Sequence, residues 1–220
     1  MAHEPIDRRT LLTGVGAATA GLVVGSVDLS AQAPAAAGTF QPARHEQDAW
    51  MGQLPGKHRV IVDTVSPDGA AQGIGYSNNW YNANRSGYQL EPSDLALILC
   101  LRHHATAFAF NNAMWAKYGK VFAERINMPG YDAAKPPTTN PRNSGERPAL
   151  DNLAKRGAHF AVCGLATRFY ATTIAGDGND FQPIFKELES NTISNAHIMS
   201  AGVVAITRAQ EYGYTFMYVG

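Results

Sequence analysis

Seven consecutive apolar residues, LALILCL at positions 95–101, decide the fold. A run of this length without a polar interruption is typical of a strand that is buried on both faces of a parallel sheet. A second run, RVIVDTV at 59–65, is rich in β-branched residues and ends in the turn-forming sequence SPDG. Three further short runs predict strands at 158–163, 193–199 and 214–219.

Helical patterns separate these strands. Aromatic residues recur at helical spacing within 105–125, and weaker patterns cover 70–87, 149–156, 167–174, 181–190 and 200–212, the last with Ser200 as its cap. Strands that alternate with helices indicate a parallel sheet covered on both faces. The sequence therefore predicts an α/β fold, a three-layer α/β/α sandwich with a five-stranded, mainly parallel sheet. We expect 95–101, 158–163 and 214–219 to be parallel neighbours, with 60–65 beside them.

Composition narrows the class of protein. The 220 residues are 45% hydrophobic and 16% charged, with 18 Lys and Arg against 18 Asp and Glu. A protein that binds nucleic acid through its phosphates would normally carry a basic excess, so we predict no nucleic-acid partner. Two cysteines are too few for a disulfide scaffold or a cysteine-based zinc site.

The N-terminus has the pattern of an export signal. Arg8 and Arg9 directly precede a mildly apolar stretch that ends at Val27 and contains four glycines. This pattern resembles a bacterial twin-arginine signal peptide, with small residues at 31–33 or 35–37 as cleavage sites. An uncleaved membrane anchor is the alternative, although a spanning helix needs about 20 strongly apolar residues.

These patterns divide the chain into three parts. We predict a signal peptide at 1–33, an extended N-terminal arm at 34–56 and an α/β domain at 57–220. Seven prolines and glycines within 128–148 predict a long loop inside that domain. The expected location is periplasmic or secreted, with no stable membrane insertion after cleavage.

Cys163 is the first candidate for chemistry. Ligands of open α/β sheets bind outside the carboxyl ends of the strands, and Cys163 ends the third predicted strand just before Gly164 begins a helix. The positive end of that helix favours a thiolate, and Arg168 is near enough in sequence to add positive charge. The alternative is that Cys163 is a small buried apolar residue. Cys100, inside the apolar run, is expected to be a core residue.

Two adjacent histidines, His103 and His104, follow the second strand. Imidazoles there could tune a thiolate, shuttle protons or bind a metal. Because neighbouring residues of a strand point to opposite faces, we expect one ring to pack against a helix and the other to face the cleft. His159 and His197 could complete a site, but none of these histidines has the spacing of a metal motif. We therefore predict no metal and no cofactor.

Two C-terminal segments resemble the DsrE/DsrF-like family of sulfur-relay proteins. They are CGLAT at 163–167, preceded by NLAKRG at 152–157, and the tail with SAGVVA at 200–205 and RAQEYGY at 208–214. The similarity covers roughly 59–219 and is strongest to exported, uncharacterised members. It implies a DsrE-like five-stranded parallel sheet, assembly into homo-oligomers and a persulfide carried at Cys163. The loop at 128–148 is longer than expected for a minimal member.

Two hypotheses about function follow. The first is an exported thiol-based sulfur carrier or sulfurtransferase, with Cys163 as the acceptor and with Arg168, His103 and His104 in support. Its partner would be a sulfur donor or acceptor, either a protein or a small molecule. The second is a non-catalytic oligomeric binding module for a small molecule or protein, in which Cys163 only packs.

Overall fold

Five strands form one sheet in the computed structural model, which describes residues 41–145 and 148–220. The strands are β1 (His58–Thr64), β2 (Leu95–Leu101), β3 (His159–Cys163), β4 (Ala196–Met199) and β5 (Thr215–Tyr218). Their order is β4-β3-β2-β1-β5, and every neighbouring pair is parallel. The predicted α/β fold with a five-stranded parallel sheet is confirmed. The predicted signal peptide lies outside the described residues.

Helices connect the strands within the described part of the chain. They are α1 (Trp50–Gln53), α2 (Pro67–Tyr88), α3 (Asn112–Arg125), α4 (Leu150–Lys155), α5 (Gly164–Ala175), α6 (Gln182–Ser190) and α7 (Gly202–Glu211). Short 3₁₀ helices lie at Glu46–Asp48, Pro92–Asp94 and His103–Ala109. No described helix combines the length and the apolarity that are needed to cross a bilayer.

Both faces of the sheet are covered, which makes the fold a three-layer sandwich. All seven residues of β2 are buried, as the unbroken apolar run predicts. On the first face, side chains of α2 to α6 pack against alternate strand residues, with Trp115 and Phe122 of α3 among the largest. On the second face, the cover consists of α7 and the segment around α1. The central strands are therefore shielded from water on both sides.

The strand at the β5 edge differs in part from the prediction. β5 is parallel to the others, but it pairs with β1, while β2 and β3 pair with each other. β4 and β5 are consecutive in the chain and yet occupy opposite edges. Helix α7 makes this possible because it packs against strands across the second face as it carries the chain from one edge to the other.

The segment before β1 is not an extended arm over residues 46–53. It forms the 3₁₀ helix Glu46–Asp48 and α1, and Met51 is completely buried. The Arg59 side chain donates hydrogen bonds to the carbonyls of Met51 and Leu54, and the Tyr214 hydroxyl also donates to the Met51 carbonyl. These side-chain donors hold the segment on the sheet, so the sequence pattern of a tether is overridden by tertiary contacts. Residues 34–40 lie outside the described part.

Several helix boundaries differ from the prediction, and three of the differences have a clear local cause or consequence. Helix α2 begins at Pro67 because the Ser66 side chain caps it by accepting the Gly69 N–H. The predicted helix at 105–125 is divided into the 3₁₀ helix His103–Ala109 and α3. Ser200 does not cap α7, whose N-cap is Ala201 without a side-chain hydrogen bond.

The proline-rich loop is anchored on the domain. Within 128–145 the structure contains no helix or strand. Asn140 is buried, and its side-chain amide donates to the carbonyls of Phe108 and Phe110. At Gly119 of α3, an added Cβ would lie 1.9 Å from the Pro137 carbonyl oxygen. The loop therefore crosses α3 at a point where only glycine leaves room.

Candidate functional site

The carboxyl ends of β2 and β3 open into a cavity of about 410 Å³ that contains three of the four predicted site residues, Cys163, His103 and His104. Parallel strands end at the same edge of a sheet, so residues about 60 positions apart in the sequence meet there. The remaining lining residues are Arg102, Arg125, Leu165, Ala166, Phe169, Tyr170, Ala201, Gly202 and Val203.

Cys163 is the last residue of β3 and also the N-cap of α5. Its sulfur accepts the backbone N–H of Ala166 at 3.5 Å, and the residue is 8% exposed. An added Cβ at Gly164 would lie 2.5 Å from the Met199 carbonyl oxygen, so the helix begins in close contact with the end of β4. The Cys-Gly sequence therefore places a thiol at a helix N-terminus, where unpaired N–H groups favour negative charge.

The two histidines are arranged differently from the prediction. β2 ends at Leu101, and His103 adopts a left-handed backbone with φ of +52° as the first residue of a 3₁₀ helix. The alternation of a strand therefore no longer applies, and both rings line the same cavity. The rings of His103 and His104 stack with their centroids 4.1 Å apart. An unusual backbone conformation beside a cavity is often found at functional sites.

His104 is held in its neutral form. Burial lowers the pKa of this imidazole, and the nearby His103 and Arg125 lower it further. A neutral imidazole has one N–H donor and one nitrogen acceptor. In this form His104 can accept a proton on one ring nitrogen while the other nitrogen donates a hydrogen bond.

Arg168 is not part of this cavity, which corrects the prediction. Its guanidinium carbon lies 4.6 Å from the centroid of the Phe181 ring, and the residue lines a neighbouring cavity of about 690 Å³. Arg168 is five residues after Cys163, and on an α-helix this spacing points the two side chains about 140° apart around the helix axis. The α5 face with Ala166, Phe169 and Tyr170 faces the Cys163 cavity, whereas Arg168 lies on another side.

Arg102 directly precedes the two histidines, and its role comes from a long-range contact. Its guanidinium makes two hydrogen bonds to the Asp63 carboxylate, of 2.7 and 2.9 Å, and Asp63 is only 2% exposed. The pairing raises the pKa of Arg102. At Gly202 an added Cβ would lie 2.4 Å from the Arg102 Cβ, so the first residue of α7 must be small. Arg102 therefore joins β1, β2 and α7 at the cavity.

Arg125 is the functional candidate that the sequence analysis missed. It ends α3, and a basic residue in the last turn of a helix is ordinary, so no local signal distinguishes it. Its guanidinium carbon lies 4.0 Å from the centroid of the Phe169 ring. Burial is the main cause that lowers the pKa of His104 and raises that of Tyr170; the charge of Arg125 adds to the first shift and opposes the second. Arg125 thus provides the positive charge that was assigned to Arg168.

The second cysteine and the other two histidines lie elsewhere. Cys100 is completely buried, and burial raises its pKa, so the prediction of a core residue is confirmed. His159 and His197 are joined by a 2.9 Å contact between ring nitrogens, and Trp50 stacks on His197 with ring centroids 3.8 Å apart. This cluster belongs to the second face of the sheet, not to the cavity. Among the described residues, no three His, Cys, Asp or Glu side chains group as a metal site would require.

Comparisons with known proteins give little beyond the fold. No family model matches the chain, and no curated protein matches it. One solved structure to which it is similar is a protein of unknown function from Methanobacterium thermoautotrophicum, with 13% identity and a TM-score of 0.40. The match covers 74% of this chain and 99% of that one. A function therefore has to be inferred from the cavity itself.

Proposed function

We propose that the protein is a thiol-based sulfur carrier or sulfurtransferase in which Cys163 accepts a sulfane sulfur. The observation that carries this proposal is the position of its sulfur, at the N-terminus of α5 and 3.5 Å from the Ala166 nitrogen, in a cavity with two histidines and two arginines. The resemblance to DsrE/DsrF-like proteins supports the same residue as the persulfide position.

The surroundings of Cys163 favour an anion on sulfur. The first turn of α5 offers backbone N–H groups, and a helix N-terminus carries a partial positive charge. Arg125 adds a full positive charge to the cavity wall. Both effects favour a thiolate before the reaction and a persulfide anion after it, because the negative charge moves outward by only one S–S bond and remains in the cavity.

The reaction needs no cofactor. The Cys163 thiolate attacks the sulfane sulfur of a donor, a new S–S bond forms, and the bond between that sulfur and the rest of the donor breaks. The electron pair of the broken bond leaves with the donor fragment. His104, whose lowered pKa favours the neutral imidazole, can take the thiol proton beforehand and then pass that same proton to the leaving fragment.

Export and assembly belong to the same proposal. The arginine pair at residues 8 and 9 supports transport by the twin-arginine route, and the family resemblance supports a homo-oligomer. In that setting the sulfur donor or acceptor would be a small molecule or protein outside the cytoplasm.

A non-catalytic binding module is the second candidate, and one observation favours it. Cys163 is only 8% exposed, and most of the cavity lining is apolar. A packed thiol beside an apolar cleft would suit a receptor for a small molecule or a protein segment equally well. In this case Cys163 would contribute shape and not chemistry.

Mass spectrometry after exposure to a persulfide donor separates the two candidates. We expect the wild-type protein to gain one sulfur atom on Cys163, Cys163→Ser to gain none, and the matched control Cys100→Ser to behave like the wild type. An unmodified wild-type protein, or equal modification of Cys163→Ser, would rule out the sulfur carrier and favour the binding module.

A further inference from the structure

The cavity around Cys163 has an apolar mouth. Three large apolar side chains on its rim are well exposed: Leu165 (63%), Val203 (57%) and Phe169 (46%). Exposed apolar side chains that cluster around a cleft are typical of a binding site. The apolar part of a ligand would therefore be buried against these three side chains, and removing it from water favours binding.

The charges of the cavity are nearly balanced, with one exception. Arg102 is neutralised by its two hydrogen bonds to Asp63, and His104 is neutral. Arg125 has no carboxylate within 4.0 Å among residues 41–145 and 148–220. Its guanidinium lies over Phe169, and so the uncompensated charge is next to the apolar wall.

We infer that this cavity takes a sulfur donor with a single negative charge on an apolar body, of the organic thiosulfonate class (R–SO₂–S⁻). The inference rests on the proposed sulfur chemistry of Cys163. The group R would contact the apolar rim, and Arg125 would pair with the anionic head. Inorganic thiosulfate fits less well because it has two charges and no apolar part, and burying a second, unpaired charge is costly.

The transfer balances without another reactant. The Cys163 thiolate attacks the terminal sulfur of R–SO₂–S⁻, and a Cys–S–S⁻ persulfide forms as the bond to the sulfonyl sulfur breaks. The electron pair of that bond leaves on the sulfinate R–SO₂⁻. Two negative charges enter the step and two leave it, with no proton, oxidant or reductant consumed. The sulfinate keeps the charge and the apolar group that would bind the cavity.

Benzenesulfinate, which cannot donate sulfur, isolates binding from chemistry. We expect calorimetry on the full chain to show that Arg125→Gln weakens benzenesulfinate binding by about 10-fold to 100-fold, the range for losing one charge-assisted hydrogen bond. Arg125→Lys, which keeps the charge, should recover part of it. Arg168→Gln is the matched control, because it removes the same charge from the neighbouring cavity, and its affinity should stay within about 2-fold of the wild type, typical of a surface charge.

Sulfur transfer is then compared with benzenethiosulfonate and thiosulfate as donors, using the mass of Cys163 as the readout. We expect benzenethiosulfonate to act at the lower concentration. Equal benzenesulfinate affinity in Arg125→Gln and wild type, or a preference for thiosulfate, would overturn the inference while leaving persulfide formation intact. Binding that depends on Arg125 without modification of Cys163 by any donor would instead support the ligand class and refute the sulfur carrier.

Discussion

Alkylation of the two cysteines in the native protein tests the thiol hypothesis most directly. Cys163 lines an open cavity and is 8% exposed, whereas Cys100 is 0% exposed and lies in the central strand. Iodoacetamide should therefore react with Cys163 in the folded state. Cys100 should react only when the sheet opens.

The expected difference in rate follows from the cost of that opening. Exposing the central strand requires unfolding of the domain, and a domain stability of about 5 kcal/mol leaves roughly one molecule in 4,000 open. Cys163 is largely shielded, and if reactivity scales with its exposed fraction of 8%, it should react about tenfold more slowly than a free thiol. We expect Cys163 to react at least about 100-fold faster than Cys100 at neutral pH.

The assay is the time course of alkylation at each cysteine, measured by mass spectrometry of peptides from the quenched protein. In denaturant both cysteines should react at similar rates, which controls for the peptide context. Cys163→Ser leaves only the slow site and should show the Cys100 rate unchanged. If Cys163 reacts no faster than Cys100 in the native protein, the sulfur-carrier hypothesis fails and the binding module takes its place.

Three further perturbations give distinct outcomes. Replacing Arg8 and Arg9 together by lysine should strand the precursor in the cytoplasm, and normal export in cell fractionation would reject the twin-arginine signal. Asp63→Asn, which leaves the partly buried Arg102 guanidinium without its buried carboxylate partner, should lower the free energy of unfolding by about 3 kcal/mol in urea titrations. Asp151→Asn, which breaks a pair whose Lys155 side chain is 74% exposed, should lower the free energy of unfolding by less than about 1 kcal/mol; equal losses for the two variants would contradict the difference in burial between the two pairs. Burial and a neighbouring histidine lower the pKa of His197 to about 4, below its value of about 6.5 in the unfolded chain. As the pH falls, the unfolded state therefore binds this proton before the folded state does. The free energy of unfolding should fall by about 1–2 kcal/mol from pH 6.5 to pH 4, a range reduced because the ring is only half-buried. His197→Gln should flatten this part of the profile, and an unchanged slope would argue against the lowered pKa of His197.

Much of the fold could be predicted because the signals are local. The apolar run 95–101 is β2, with the same first and last residues. Strands β3, β4 and β5 lie inside their predicted ranges, and β1 is displaced from its predicted range by one residue. Helix ends were predicted less well. Ser66 and Pro67 were interpreted as part of a turn, whereas they begin α2. The left-handed backbone of His103 is not indicated by the helix or strand propensity of its neighbours. Even so, alternating strands and helices were sufficient to predict a parallel sheet with both faces covered.

The site could be predicted only where the topology dictates it. The rule that ligands bind at the carboxyl ends of parallel strands was sufficient to select Cys163, His103 and His104, and the cavity contains all three. Arg168 was chosen for its nearness in sequence, but helical rotation directs it into the neighbouring cavity. Arg125 comes from a different helix and meets Phe169 of α5 across the fold. Its 38-residue separation from Cys163 leaves no pattern that a single sequence could reveal.

The sequence by itself determined the class of fold, the position of the thiol and the expectation of export, because hydrophobic periodicity, a Cys-Gly strand end and an arginine pair are all contiguous in the chain. Only the tertiary structure decided the strand order, the docking of residues 46–53 and the charge of the cavity. These depend on contacts between distant residues, such as the Asp63 carboxylate that pairs with Arg102, whereas Arg125 lines the cavity with no carboxylate partner among the described residues. Long-range ion pairs and packing have no periodic signature in a sequence, and so the electrostatics of the site emerged only when the chain was folded.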